Sequence, residues 1–180
     1  MSTGCRRRYT TEEKTKHFGE RISEFLKVSK VCEDGASPCF LSEGYDNAIN
    51  NPKGQKLVYG TPANNPTETY NVLLADGTAV SFSTNNNIFI DIDGSKGKNQ
   101  MNADLFGFRV IDGDLMPDGY NTNTCVGKLI NIAPGFDSAS PAGDCTNWVI
   151  THGNMDYLKT TNGNCPDGKH LDGVNKITCR

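Results

Sequence analysis

The 180-residue chain has no apolar run approaching the length that spans a bilayer, so no segment within it reads as a transmembrane helix. It lacks a secretory-type leader and any internal repeat, which removes solenoids and propellers from consideration. Its three histidines, His17, His152 and His170, are scattered, and it has no C-x-x-C pair. Zinc is therefore disfavoured. No nucleophile elbow of the Gly-x-Ser-x-Gly kind surrounds Ser81 or Ser83, and neither serine stands beside an evident base. Apolar residues are scarce as well, at 36%. That supply fills one modest core under a loop-rich surface, in a single domain.

Charge is present in both signs but is unevenly placed. Residues 1–31 carry eight Lys/Arg against four Asp/Glu, and residues 32–180 carry ten against seventeen. A basic segment thus precedes an acidic body. The basic segment has no interleaved aromatics and the body repels phosphate, so no nucleic-acid partner is expected.

Cysteine is the one unusual abundance, at seven residues. Cys32 and Cys39, Cys125 and Cys145, and Cys165 and Cys179 each bracket a Gly/Asn/Pro/Asp-rich stretch with little to bury. A disulfide closing a loop of about 15 residues stabilises by roughly 3 kcal/mol. Sequential pairing, Cys32–Cys39, Cys125–Cys145 and Cys165–Cys179, is preferred, with other connectivities of six cysteines open. Cys5 is left over. Cysteines in polar loops point to an oxidising compartment, periplasmic or extracellular.

Apolar spacing predicts one long helix over residues 11–31. Phe18, Ile22, Phe25, Leu26 and Ser29 fall on one stripe, and Thr10 with Glu13 forms a capping box. The stripe needs a sheet to cover, so Phe18, Ile22, Phe25 and Leu26 are the expected helix-packing residues. Strand-like runs follow at Lys56–Gly60, Tyr70–Leu74, Thr78–Phe82, Asn87–Ile92 and Leu105–Ile111. Asp76-Gly77 reads as a type I′ hairpin pair, and Asp112-Gly113-Asp114 as a further turn. Trp148 marks a late core contact, and Met155–Lys159 a short turn or strand. The predicted class is α+β: a long N-terminal helix on an antiparallel sheet, with a loop-rich, disulfide-stapled C-terminal part. Residues 1–10 read as a disordered or artificially added N-terminus and 11–180 as the single domain, with the helix at 11–31 and the sheet and loops at 40–180.

The stretch DIDGSKGKNQMNADLFGF, residues 91–108, concentrates the candidate chemistry. Asp91, Asp93, Ser95, Asn99 and Asp104 offer oxygen ligands, and Gly94 and Gly97 free backbone carbonyls. Calcium takes six to eight such oxygens in irregular geometry. The loop is not an EF-hand, because its glycine falls at the fourth position and no glutamate closes it. Strand alternation puts Asp91 and Asp93 on one face, and Lys96 or Lys98 can neutralise the acids without a metal. Two readings stay open, a calcium site on Asp91, Asp93, Asn99 and Asp104, or a metal-free turn.

Catalytic readings are poorer. His152 with Asp144 and Cys145 resembles a nucleophile dyad, but Cys145 is expected in a disulfide. Asp112, Asp114 and Asp118 lie near one another as paired carboxylates do, yet in turn sequence. Trp148, Tyr157, Phe106 and Phe108 suit a core better than a glycan-binding face. No enzyme is predicted.

Four segments carry a resemblance: KLVYGTPANN (56–65), LLADGTAVSF (73–82), IDIDGSKGKNQMNADLFGFRV (90–110) and CTNWVITHGNMDYLK (145–159). In this order, after an amphipathic helix, they resemble the soluble heads of type IV pilins and type II secretion pseudopilins. Asp93-Gly94-x-x-Gly97 followed by Asn102-Ala103-Asp104-Leu105 is similar to the calcium loop of major pseudopilins. The resemblance implies a noncatalytic filament subunit whose partners are other pilin or pseudopilin subunits. It also implies a cleavable leader and an apolar anchoring helix upstream, absent from this chain, with the helix continuing back through Arg6-Arg7-Arg8. The alternative is a secreted or surface ligand-binding module of the adhesin or minor-pilin kind, using loops between 112 and 145.

Overall fold

The computed structural model describes residues 10–32, 38–40, 45–47, 56–57, 69–83, 86–96, 100–120, 145–159, 164–169 and 179. Nine strands lie in one sheet: β1 (Val28–Cys32), β2 (Tyr45–Asn47), β3 (Lys56–Leu57), β4 (Thr69–Leu74), β5 (Ala79–Ser83), β6 (Asn87–Asp91), β7 (Gln100–Met101), β8 (Leu105–Ile111) and β9 (Asp114–Pro117). Six of them, β1-β4-β5-β6-β8-β9 in spatial order, pair antiparallel throughout. The short strands β7, β2 and β3 extend the sheet from the start of β8, with β7 parallel to both β8 and β2. Two short helices, α1 (Thr11–Ser23) and α2 (Thr146–His152), and a 3-10 turn (Asp156–Lys159) complete the described elements.

This corrects the predicted class. The chain is mostly antiparallel sheet with little helix, not a long helix laid on a sheet. The capping box does start α1: Thr10 Oγ1 accepts from Glu13 N at 3.1 Å, and Thr10 N donates to Glu13 Oε2 at 2.8 Å. The helix therefore begins at Thr11, with Thr10 extended, and Arg6-Arg7-Arg8 lie outside the described residues. It stops at Ser23, where Phe25 N and Leu26 N turn onto the carbonyls of Ile22 and Ser23, three residues back. Beyond it, Val28–Cys32 pairs with β4 instead of extending the helix. The pairing wins because it satisfies the β4 edge and sets Cys32 for its disulfide, whereas the helical stripe beyond residue 26 is held by one serine. Ser29 Oγ adds hydrogen bonds to the carbonyls of Leu73 and Leu74, at 3.0 and 3.1 Å.

Register alternation divides the sheet into two unlike faces. One carries Val72, Val80, Phe82 and Ile88, with Tyr70, Ile90, Phe108 and Val110 beside them. Helix α1 covers this face through Phe18, Ile22 and Leu26, and Phe18 meets Phe82 edge-on at 5.9 Å between ring centres. Phe25, expected on the same stripe, is 85% exposed. It lies past the helix end, where the 3.6-residue spacing no longer applies. The opposite face carries Ala79 and Leu105 with Leu73 and Phe89, and the Cys32–Cys39 disulfide and Phe40 close over it. Asn71, Ser81 and Asp91 are buried on that face too.

The turns match their residues with one exception. Asp112 and Gly113 both have positive φ, 52° and 93°, and join β8 to β9 as the two-residue turn that Asp-Gly favours. At the β4–β5 turn only Gly77 is left-handed, at 98°. The three residues Ala75–Gly77 are looped out between Leu74 N and the Thr78 carbonyl, which close the hairpin at 2.8 Å. Asp76-Gly77 is thus a longer turn ending in a left-handed glycine, not a type I′ pair.

A separate apolar cluster lies at the C-terminal end. Cys145, Trp148, Tyr157, Cys165 and Cys179 are buried together, with Val149 and Met155 against them. Cys165 is bonded to Cys179. Cys145 is also disulfide-bonded, and its expected partner, Cys125, lies outside the described residues, as does Cys5. Among the described residues no helix is long and apolar enough to cross a membrane.

Candidate functional site

The acidic loop leaves the sheet at Asp91, the last residue of β6. Its side chain is wholly buried, because it shares the inner face with Ala79 and Leu105, its partners across β5 and β8. Asp91 Oδ1 accepts from Asp93 N at 3.2 Å, which turns the chain at once. Lys96 N then donates to the Asp93 carbonyl at 3.3 Å, and Gly94 takes a left-handed φ of 66°. A Cβ on Gly94 would come within 2.7 Å of the Gly77 carbonyl oxygen and 3.5 Å of the Cys39 carbonyl oxygen. Glycine here lets the acidic loop rest on the β4–β5 turn beside the first disulfide. Thr78 Oγ1 reaches the Ile92 carbonyl at 3.5 Å across that junction.

The return limb is fixed equally closely. Ile92 N donates to the Asp104 carbonyl at 3.0 Å, and Asn102, left-handed at φ 64°, donates from its N–H to the Leu105 carbonyl at 3.1 Å. Asp91, Asp93 and Asp104 therefore belong to the two limbs of one loop, and Asn99 lies outside the described residues. Asp91 is already used as a hydrogen-bond acceptor, whereas Asp93 Oδ1 is buried with no hydrogen-bond partner. Among the described residues no three His, Cys, Asp or Glu side chains are gathered as a metal-ligand group.

The other nominated side chains are engaged in structure. Asp112 and Asp114 are exposed at the β8–β9 turn, while Asp118 lies at the far end of β9 against Gly107. A Cβ at position 107 would overlap the Asp118 carboxylate, so the glycine makes room for it. The three carboxylates do not form a pair across a cleft. His152 packs against Trp148 at 4.3 Å between ring centres with the rings tilted by 46°, and Cys145 in its disulfide has no thiolate to offer. Asp144 lies outside the described residues. Ser81 is wholly buried and Ser83 partly so, and neither hydroxyl has a hydrogen-bond partner. Phe106, Trp148 and Tyr157 are buried and Phe108 half-buried, so they form no exposed aromatic face.

Three residues secure the C-terminal cluster: Tyr157, expected in the core, and Thr146 and Asp156, which the sequence did not single out. Thr146 Oγ1 accepts from Gly107 N at 3.0 Å, joining the start of α2 to β8. Tyr157 donates its hydroxyl to the Asn102 carbonyl at 2.7 Å, and burial pushes its phenol well above the ordinary tyrosine range. Asp156 ion-pairs with Lys159 at 2.6 Å and accepts from Cys179 N at 3.1 Å. The spacing of Asp156 and Lys159 is readable as a local pair. Its reach to Cys179, 23 residues on, has no local signal.

Comparison against family models, curated proteins and solved structures finds no match to this chain.

Proposed function

We propose that the chain is a noncatalytic, secreted or surface-exposed structural domain, a subunit of a filament of the pilin or pseudopilin kind. The observation that carries this reading is how the chemically versatile side chains are used. Cys145 is in a disulfide, His152 packs against Trp148, Asp118 is seated on Gly107, and Asp91 closes a turn. Stability, meanwhile, is placed in covalent staples: Cys32–Cys39 ties the end of β1 to the sheet core beside Phe40, and Cys165–Cys179 lies within the C-terminal cluster. Such staples persist in oxidising compartments and suit a domain facing the cell exterior. The four sequence segments that resemble pilin and pseudopilin heads select the filament among noncatalytic roles. The partners are other subunits of that filament, and the resemblance implies membrane anchoring through an apolar helix. The short α1 does not supply such a helix by itself.

Expression from the complete gene in the native host tests this. The filament reading expects prepilin-peptidase processing upstream of this chain and recovery of the chain in sheared surface filaments. Processing by an ordinary signal peptidase, with a monomeric product in the medium, would replace it with the ligand-binding module.

A further inference from the structure

The six-strand antiparallel run ends in two outer strands of opposite charge. At one edge β1 exposes Lys30 and Val31, and at the other β9 exposes Asp114 and Leu115, next to Asp112 in the turn. Both edges also turn backbone groups outward. Leu74 N bonds the Thr78 carbonyl, so by ladder alternation Val72 bonds toward β5, and its partner Val31 points its N–H and C=O away from β4. Val110 N bonds the Asn86 carbonyl, so Leu115 opposite it points its own groups away from β8. Among the described residues neither set meets another strand. Each open run is short. Pro117 has no N–H to continue it on β9, and a register shift between Val28 and Lys30 interrupts it on β1.

Strand direction and charge select how such edges meet. Strands alternate in direction along β1-β4-β5-β6-β8-β9, so β1 and β9 run oppositely. A copy carried sideways therefore sets its β1 antiparallel to β9, and sheet twist makes the step a screw. Two-fold pairing of like edges would instead bring Lys30 near Lys30, or Asp114 near Asp114, and like charges across strands destabilise. We propose that the chain adds head to tail through its sheet edges, β9 of one copy against β1 of the next, with Leu115 opposite Val31. The two residues exchange their outward N–H and C=O groups. Their side chains share the α1 side of the sheet, as their partners Val110 and Val72 do. Lys30 and Asp114 fall on the opposite side as diagonal neighbours, within reach of a long side chain. Val31 is level with Phe106 in the sheet and Leu115 with Val110, so each copy is stepped toward the β8–β9 turn, clear of β7, β2 and β3. Head-to-tail contacts that do not close give open-ended assemblies. The inference rests on the filament reading for its setting and names the surfaces by which its subunits touch.

Sedimentation velocity on the purified chain, with free thiols alkylated, tests this from micromolar to millimolar concentration. The parent is expected to form a rising series of oligomers that salt weakens. Lys30→Glu and Asp114→Lys each place like charges at the joint, and each is expected to weaken association about tenfold. Both positions are exposed, so the thermal midpoints of the variants stay near the parent's. The double variant, Lys30→Glu with Asp114→Lys, restores an opposite-charge pair with its sense reversed and is expected to recover the parent's association. Pairing of like edges predicts no such recovery. A monomer at millimolar concentration, a closed dimer, or a double variant no better than the single ones would overturn the proposal. Sheared surface filaments recovered undiminished with Lys30→Glu would overturn it and leave the filament reading standing. Head-to-tail growth of the purified chain without surface filaments would do the reverse.

Discussion

The ring of Tyr70 lies against the backbone of α1 at Gly19. A Cβ on that glycine would overlap the ring edge and stand 2.6 Å from Tyr70 Cγ and 2.9 Å from its Cβ. The absence of a side chain at position 19 therefore sets how closely the helix approaches β4. Alanine is the better helix former by about 1 kcal/mol, yet the overlap is with the near end of an aromatic side chain, which cannot swing clear cheaply. Overpacking of this kind costs about 1–3 kcal/mol. Gly19→Ala is expected to lower the thermal midpoint, and to raise it slightly in a Tyr70→Ala background, where only the propensity gain remains. A stabilised single variant would show that α1 has freedom to move away from β4.

Phe18 and Phe25 share an apparent stripe and have opposite environments. Phe18 packs on Phe82 and Phe25 is 85% exposed. Phe18→Ala is expected to cost about 2–3 kcal/mol, somewhat under the range for a fully buried ring because Phe18 is half-buried. Phe25→Ala is expected to stay within about 0.5 kcal/mol of the parent, as for a surface position. Urea unfolding of the two variants decides this. Comparable losses would mean that Phe25 is buried in solution as Phe18 is.

The contrast shows what was legible. Tyr70–Leu74, Thr78–Phe82, Asn87–Ile92 and Leu105–Ile111 were readable as strands because β-branched and aromatic residues alternate between turn signals, and the turns are local chemistry. The start of α1 was readable for the same reason, since Thr10 and Glu13 are three residues apart. Its end was not. Val28–Cys32 becomes a strand only because β4, some forty residues away, offers it an edge, and no window on residues 24–32 contains that partner. The acidic loop was legible as a loop and its Asp91–Asp93 hydrogen bond as a local turn. The burial of Asp91 follows from β5 and β8 on either side, and the reach of Asp156 to Cys179 from a tertiary approach, so neither had a local signature.

Calcium binding by the loop is a proposal from the resemblance and is open to direct measurement. If Asp93 and Asp104 share a cation, calcium binds the folded chain selectively and stabilises it by about 2.7 kcal/mol at a hundredfold excess over Kd. The thermal midpoint then rises with calcium and falls with chelator, Asp104→Ala abolishes the difference, and magnesium substitutes poorly because it resists irregular oxygen shells. A midpoint unmoved by calcium and chelator, on protein shown to hold no ion, assigns the loop to the turn closed by Asp91 Oδ1 and Asp93 N.

Tyr157 gives the fold an alkaline limit. Its side chain is 2% exposed and its hydroxyl donates to the Asn102 carbonyl, so the folded state favours the protonated phenol. The shift is upward and its cause is burial. With the folded pKa above the unfolded value of about 10, the contribution is complete below that unfolded value. It is lost as pH rises from there toward the folded pKa, because the unfolded chain gives up a proton that the folded chain retains. The expected slope from this one group approaches about 1.4 kcal/mol per pH unit. Urea midpoints taken between about pH 8 and about pH 11, with free thiols alkylated to prevent disulfide exchange, measure it. Tyr157→Phe is expected to cost about 1 kcal/mol at neutral pH through the lost hydrogen bond, and to decline less steeply in alkali than the parent. The two curves should therefore converge as pH rises. Curves that stay parallel would mean that Tyr157 ionises in the folded chain as readily as in the unfolded one, and that its burial is relieved before the sheet opens.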